Sequence, residues 1–175
     1  MKQYVKFRER DEDSDKIEEY HYQPAISGEI ELDKISEKTN ILKIYFRKIN
    51  TLRKSARFFE LFDGSTEIML ANFPVKINDL KELDKTTIEI KKGWTDKQLF
   101  TMLSVRDGEP INNSKIGFSL NNDSSLNINW TGSYPSYQSG NDIGELELNI
   151  IAFPKEDVVT PLCSNDKELI ETFEN

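Results

Sequence analysis

The chain has 175 residues, 37% hydrophobic and 31% charged, with ten Phe, six Tyr, two Trp and a formal net charge of −8. That length suits one domain with a real core, and the aromatic content excludes a disordered chain. No apolar run approaches the ~20 residues needed to span a bilayer, no secretory h-region follows Met1, and the single cysteine, Cys163, excludes an internal disulfide. The expectation is a cytoplasmic protein with no membrane association.

Taken in chain order, the elements read mostly as strands. Tyr4, Val5 and Phe7 open a short one. Glu29–Asp33 alternates polar and apolar residues, and Ile41–Ile49 follows the turn-like stretch 36–40, a pattern that predicts an antiparallel hairpin. Phe58–Phe62 and Glu67–Leu70 flank Asp63–Gly64, where glycine tolerates the positive φ of a tight turn. Thr87–Lys91 alternates cleanly. For Trp94–Leu103 the spacing of Leu99, Phe100, Met102 and Leu103 predicts a helix capped by Thr95 or Asp96, and a buried strand running into Asp107–Gly108 is the alternative. Ile116–Leu120 and Leu126–Trp130 form another hairpin pattern, and Glu145–Phe153 closes the sheet region before Pro154. Asn165 with Glu168 resembles a capping box, with Leu169, Ile170 and Phe173 as the apolar edge.

The fold expected is therefore mainly β. It would be a β-sandwich or barrel-like antiparallel sheet of about seven to nine short strands with one or two short helices, with α+β as the alternative. Residues 1–155 would form a single β-rich domain, and residues 156–175 an acidic C-terminal tail or short helix.

The charge is concentrated at the ends. Residues 9–19 hold seven acids and two bases (−5), residues 156–175 six acids and one base (−5), and residues 1–8 carry +3, which leaves −1 for residues 20–155. Those end surfaces should repel nucleic acid and anionic membrane and attract a basic protein partner.

Most chemistry-bearing patterns fail on inspection. An EF-hand loop begun at Asp11 has ligands at Asp13 and Asp15, but Lys16 stands at the obligatory glycine, Glu18 at the apolar position and Tyr22 at the bidentate glutamate. A solvated acidic turn explains the stretch better. His21 is the only histidine and Cys163 lies in an acidic stretch that raises a thiol pKa, so neither a zinc site nor an activated thiol is expected. No phosphate-loop, dinucleotide or nucleophile-elbow motif occurs. The sequence thus implies no catalytic residue, no metal and no cofactor, and an enzyme is the less favoured class. Asn112, Asn122 and Asn129 each begin an N-glycosylation acceptor triplet, but without a visible signal peptide the better reading is that they are turn residues in hairpins.

Two stretches carry recognition chemistry. The segment from Lys43 to Arg57 has six bases (Lys43, Arg47, Lys48, Arg53, Lys54, Arg57) and no acid, with Tyr45 and Phe46 interleaved, a nucleic-acid pattern. A solvated strand face followed by a loop is the competing reading. Residues 127–142 hold Trp130, Tyr134 and Tyr137 among Asn, Ser and Gly, a composition suited to protein recognition unless the rings fold inward to cap the core.

In general character, small, acidic, β-rich and without chemistry of its own, the chain is similar to bacterial immunity proteins and phage-encoded inhibitors, although no aligned motif carries that resemblance. It implies a non-enzymatic protein-binding module that blocks a basic partner, either a toxin or a nucleic-acid-handling protein. Asp11, Glu12, Asp13, Asp15, Glu18 and Glu19 would steer the partner, and Trp130, Tyr134 and Tyr137 would be the anchors. A nucleic-acid-binding accessory protein using Lys43–Arg57 and a structural subunit of a virion or secretion assembly are the alternatives. Nucleic acid is disfavoured as a partner by the acidic ends, and the oligomeric state is open.

Overall fold

The computed structural model describes residues 3–10, 16–22, 27–35, 39–47, 67–104, 108–136 and 143–155. Eleven strands among them join in one sheet, curled into a half-barrel. They are β1 (Tyr4–Arg10), β2 (Ile17–Tyr22), β3 (Gly28–Lys34), β4 (Asn40–Phe46), β5 (Glu67–Val75), β6 (Thr87–Ile90), β7 (Thr101–Ser104), β8 (Gly108–Pro110), β9 (Asn112–Leu120), β10 (Leu126–Pro135) and β11 (Ile143–Pro154).

Period-two alternation builds the central strands. In β11, Leu146, Leu148, Ile150 and Ala152 turn inward and are buried, while Glu145 and Glu147 take the outward phase. This long strand is the hub. One edge pairs with β10 from Ile143 to Ala152. The other pairs first with β1 through residues 145–149, then in parallel with β3 through Ala152–Pro154. The sheet therefore forks at β11. One branch continues as β3-β4-β5-β7-β8 and the other as β1-β2, while β10-β9-β6 extends the opposite side.

Curling lets both sides face one core, in which Phe7, Ile30, Leu42, Ile44, Ile68, Leu70, Leu103, Ile128 and Trp130 are wholly buried. At ~1.5–3 kcal/mol for each large apolar side chain withdrawn from water, this layer is the main source of stability. The corner between β8 and β9 helps to close it. Ile111 accepts hydrogen bonds from the hydroxyls of Thr101 (2.6 Å) and Ser114 (3.1 Å), so its buried carbonyl is satisfied.

The sequence-expected hairpins β3–β4 and β9–β10 are present in antiparallel register. Trp94–Leu103 is not a helix. Trp94 bridges Leu99, Thr95 and Gln98 exchange backbone hydrogen bonds (2.8 and 3.3 Å), and Thr101–Ser104 lies against β5. The apolar spacing there fits a strand as well as a helix, and the free edge of β5 decides for the strand. The helix found instead is one 3-10 turn, Leu80–Leu83, closed by an Asp79/Glu82 capping box. The expected C-terminal helix and acidic tail, and the first half of the Phe58–Leu70 hairpin, lie outside the described residues.

Candidate functional site

The outward phase of β1, β2 and β11 forms a charged ladder. The Tyr4 hydroxyl donates to Glu147 Oε1 (2.6 Å), and Lys6 Nζ lies 3.4 Å from Glu147 and 3.8 Å from Glu19. Arg8 spans Glu19 (2.8 Å) and Glu145 (3.4 Å). The hydrogen bond from Tyr4, aided by Lys6, holds the Glu147 carboxyl below its ordinary pKa; that same bond raises the Tyr4 phenol. Glu19 raises the Arg8 guanidinium, with Glu145 second. Beside the ladder lies an open hollow of about 230 Å³, lined at Gly117 and by Tyr4, Thr87, Lys115, Asn129, Thr131 and Glu147, with Trp130 and Leu148. A Cβ on Gly117 would meet nothing nearer than 3.9 Å.

At the end of the ladder the outward phase carries two isoleucines beside the exposed Arg10. Ile17 lies opposite Arg10, and Ile143 opposite Pro135. The two halves join because β1 and β11 pair at Arg8–Glu145, two residues before β1 ends and two after β11 begins. Ile17 and Ile143 are 70% and 71% exposed, although alternation reserves their positions for polar residues. They share the outward phase at one rim, on β2 and β11 with β1 between them. From this rim the chain leaves into the 11–15 segment and returns from the 137–142 segment, so the two stretches that the sequence marked for recognition are rooted side by side.

The sequence-expected anchors change accordingly. Trp130 is completely buried, its indole N–H donating to Ser114 Oγ (3.0 Å). Tyr134 is 1% exposed, packed edge-on to Phe7 at 6.0 Å and lying over Gly144. Both share the inward phase of Leu126 and Ile128 in β10, so they cap the core and do not serve as surface anchors. Tyr137 lies outside the described residues.

Of the acids, Asp11, Glu12, Asp13 and Asp15 also lie outside the described residues. Glu19 is compensated by Arg8 and Lys6, and Glu18 stands opposite the buried Glu9, which accepts a hydrogen bond from Ser136.

The basic segment is largely neutralised where it is described. Lys43 pairs with Asp33. Burial pulls its ammonium down, but the hydrogen bond and charge of Asp33, with Tyr45 and Glu31, more than offset this and raise its pKa. Arg47 sits 5.0 Å over the Tyr45 ring and 3.9 Å from Glu67. Burial raises the Tyr45 phenol. Lys48, Arg53, Lys54 and Arg57 lie outside the described residues. Among the described residues no group of three or more His, Cys, Asp or Glu side chains is placed to hold a metal ion, and no helix is long and apolar enough to cross a membrane.

The residues that sequence reasoning missed are Ile17 and Ile143. The signal was phase: each occupies the solvent phase set by Glu19 in β2 or by Glu145 and Glu147 in β11. No protein-family model matches the chain, and neither the curated proteins nor the solved structures provide a match.

Proposed function

We propose that the chain is a non-enzymatic protein-binding module that blocks a basic partner, in the manner of an immunity-type or phage-encoded inhibitor. The observation that supports this reading best is the rim of Ile17 and Ile143, two large apolar side chains more than two-thirds exposed and set at the root of an acidic segment. Covering each would add up to ~1.5–3 kcal/mol of the desolvation that binding requires. The neighbouring acids Asp11, Glu12, Asp13 and Asp15 supply four negative charges within five residues. In this role they steer a cationic cleft toward the rim and raise the association rate at low salt. Glu19 positions β2 through Arg8, while Trp130 and Tyr134 hold the β10–β11 hairpin in shape.

The test uses the immobilised chain and lysate from cells that naturally contain it. A basic protein should be captured at low salt, and the chain should inhibit its activity at stoichiometric amounts. Ile143→Ser, and separately Asp11, Asp13 and Asp15 changed together to Asn, should each lose capture and inhibition while leaving the unfolding midpoint of the chain unchanged. Equal capture by both variants sinks the proposal.

A further inference from the structure

Trp94 is 58% exposed and lies in the segment between β6 and β7, a stretch that first suggested a helix. The segment is held at many points. Gly93 N–H donates to Asn112 Oδ1 (3.0 Å), its carbonyl accepts from the amides of Phe100 (2.7 Å) and Thr101 (3.1 Å), and Gln98 Nε2 donates to Asn72 O (2.8 Å). A Cβ at Gly93 would lie 2.5 Å from Thr101 Oγ1 and 2.6 Å from Ile111 O, so only glycine lets the base of the tip sit this close to the β8–β9 corner. With the reciprocal Thr95–Gln98 bonds, the tip is a small pre-formed hairpin that presents an indole to solvent.

Three exposed lysines surround that indole in the chain: Lys91, Lys92 and Lys97, against the single acid Asp96. Elsewhere on the sheet Lys6, Arg8, Lys43, Arg47, Lys115 and Lys155 each lie within 4.0 Å of one of the protein's own carboxylates. Lys91, Lys92 and Lys97 make no such pair among the described residues. An exposed indole on a pre-formed tip, with three such lysines within three residues of it in the chain, suits a ligand with flat apolar rings and regularly spaced anions.

We propose that the Trp94 tip binds single-stranded nucleic acid without sequence preference, one base stacking on the indole while Lys91, Lys92 and Lys97 meet the flanking phosphates. Base–aromatic stacking tolerates any base because each has a π-face, and lysine serves phosphate as a point charge. The protein's net charge of −8 does not decide the matter, because the tip itself, residues 91–97, holds three lysines against one acid. Lys91 shares the sheet rank of Asn113 through the Asn113 N–H to Lys91 O bond (3.0 Å), on the far side of β9 and β10 from β11. That places it about 14 Å from the acidic outward phase of β11 and about 24 Å from β2, at ~4.8 Å per strand. Both distances exceed the ~8 Å screening length at physiological salt. The surface is distinct from the Lys43–Arg57 segment, whose described cations Lys43 and Arg47 have carboxylate partners. It is also separate from the Ile17–Ile143 rim, so either proposal stands if the other fails.

The probe is a fluorescein-labelled (dT)8 oligonucleotide titrated with the full chain in ~50 mM salt. Anisotropy should report binding of micromolar strength. Trp94 emission should be quenched as the complex forms, whereas Trp130, wholly buried, gives an unquenched background. Trp94→Ala should weaken binding about 5- to 150-fold. Lys91 and Lys92 changed together to Gln should flatten the dependence of log affinity on log salt by one to two units. Each variant's unfolding midpoint is measured alongside to confirm the fold. Absence of binding, or equal affinity in Trp94→Ala, overturns the proposal. So does retention of the chain by a poly-glutamate peptide or by phosphatidylserine-containing vesicles when the oligonucleotide is ignored, since the tip would then serve a different class of partner.

Discussion

Trp130→Ala distinguishes a core residue from a surface anchor by two separate readouts. The side chain is wholly buried in the layer with Ile128 and Leu148, and its truncation removes the largest fully buried side chain in the described core. Trp→Ala in such a setting costs ~3–5 kcal/mol, because a cavity adds to the lost transfer energy. The Ser114 hydroxyl keeps Ile111 O as its acceptor, so no donor is orphaned and the upper end of that range is not required. Trp130→Phe retains most of the ring contact and loses the indole hydrogen bond to Ser114, which costs ~1–2 kcal/mol.

The assay is urea unfolding followed by far-UV circular dichroism. With a slope of ~2 kcal/mol per molar, the midpoint should fall by ~2 M for Trp130→Ala and by ~0.5–1 M for Trp130→Phe. Partner capture, measured below the new midpoint, should be unchanged. A Trp130→Ala midpoint within ~0.3 M of the parent, combined with lost capture, would refute the burial argument and return Trp130 to the surface.

Gly144→Ala would place a Cβ 2.5 Å from Tyr134 Cζ and 2.8 Å from its hydroxyl, against a ring already fixed by Phe7. Overpacking of this kind costs ~1–3 kcal/mol, and adding Tyr134→Leu should restore part of the loss in the same urea assay. Tyr4→Phe tests the ladder through pH. The Glu147 pKa is depressed in the fold, so its contribution is present above the unfolded glutamate value and is lost as pH falls through the folded value. Parent and Tyr4→Phe midpoints should therefore differ at pH 6 and converge below the folded pKa of Glu147; a constant gap down to pH 2 would refute the coupling. For Asp33→Asn the sign is opposite, because the Lys43 ammonium is raised. The pair stabilises fully below the unfolded lysine pKa, and its contribution disappears as pH rises through the folded value. The midpoint deficit of Asp33→Asn should be present at pH 8 and shrink in strong alkali, and a deficit that grew with pH would contradict it.

What the sequence revealed and what it hid divide along a physical line. Strands paired with their neighbours in the chain were legible, because β3–β4 and β9–β10 need only alternation and a turn. The fork at β11 was not. Its pairing with β1 joins residues more than 130 apart, and its parallel contact with β3 depends on a crossover for which no local pattern exists. The Trp94–Leu103 segment failed for a related reason. Leu99, Phe100, Met102 and Leu103 satisfy both periods, and the choice was made by the edge of β5, far away in sequence. The candidate site shows the same division in reverse. Trp130 and Tyr134 drew notice by composition, yet their even-numbered phase in β10 already placed them with Leu126 and Ile128. Ile17 and Ile143 drew none, since an isolated isoleucine among charges looks ordinary until it is assigned to the outward phase of a strand. Chemical type says which residues can bind; phase says which can be reached. When the two disagree, phase decides, because a one-residue slip of β10 would expose all of its apolar side chains at once.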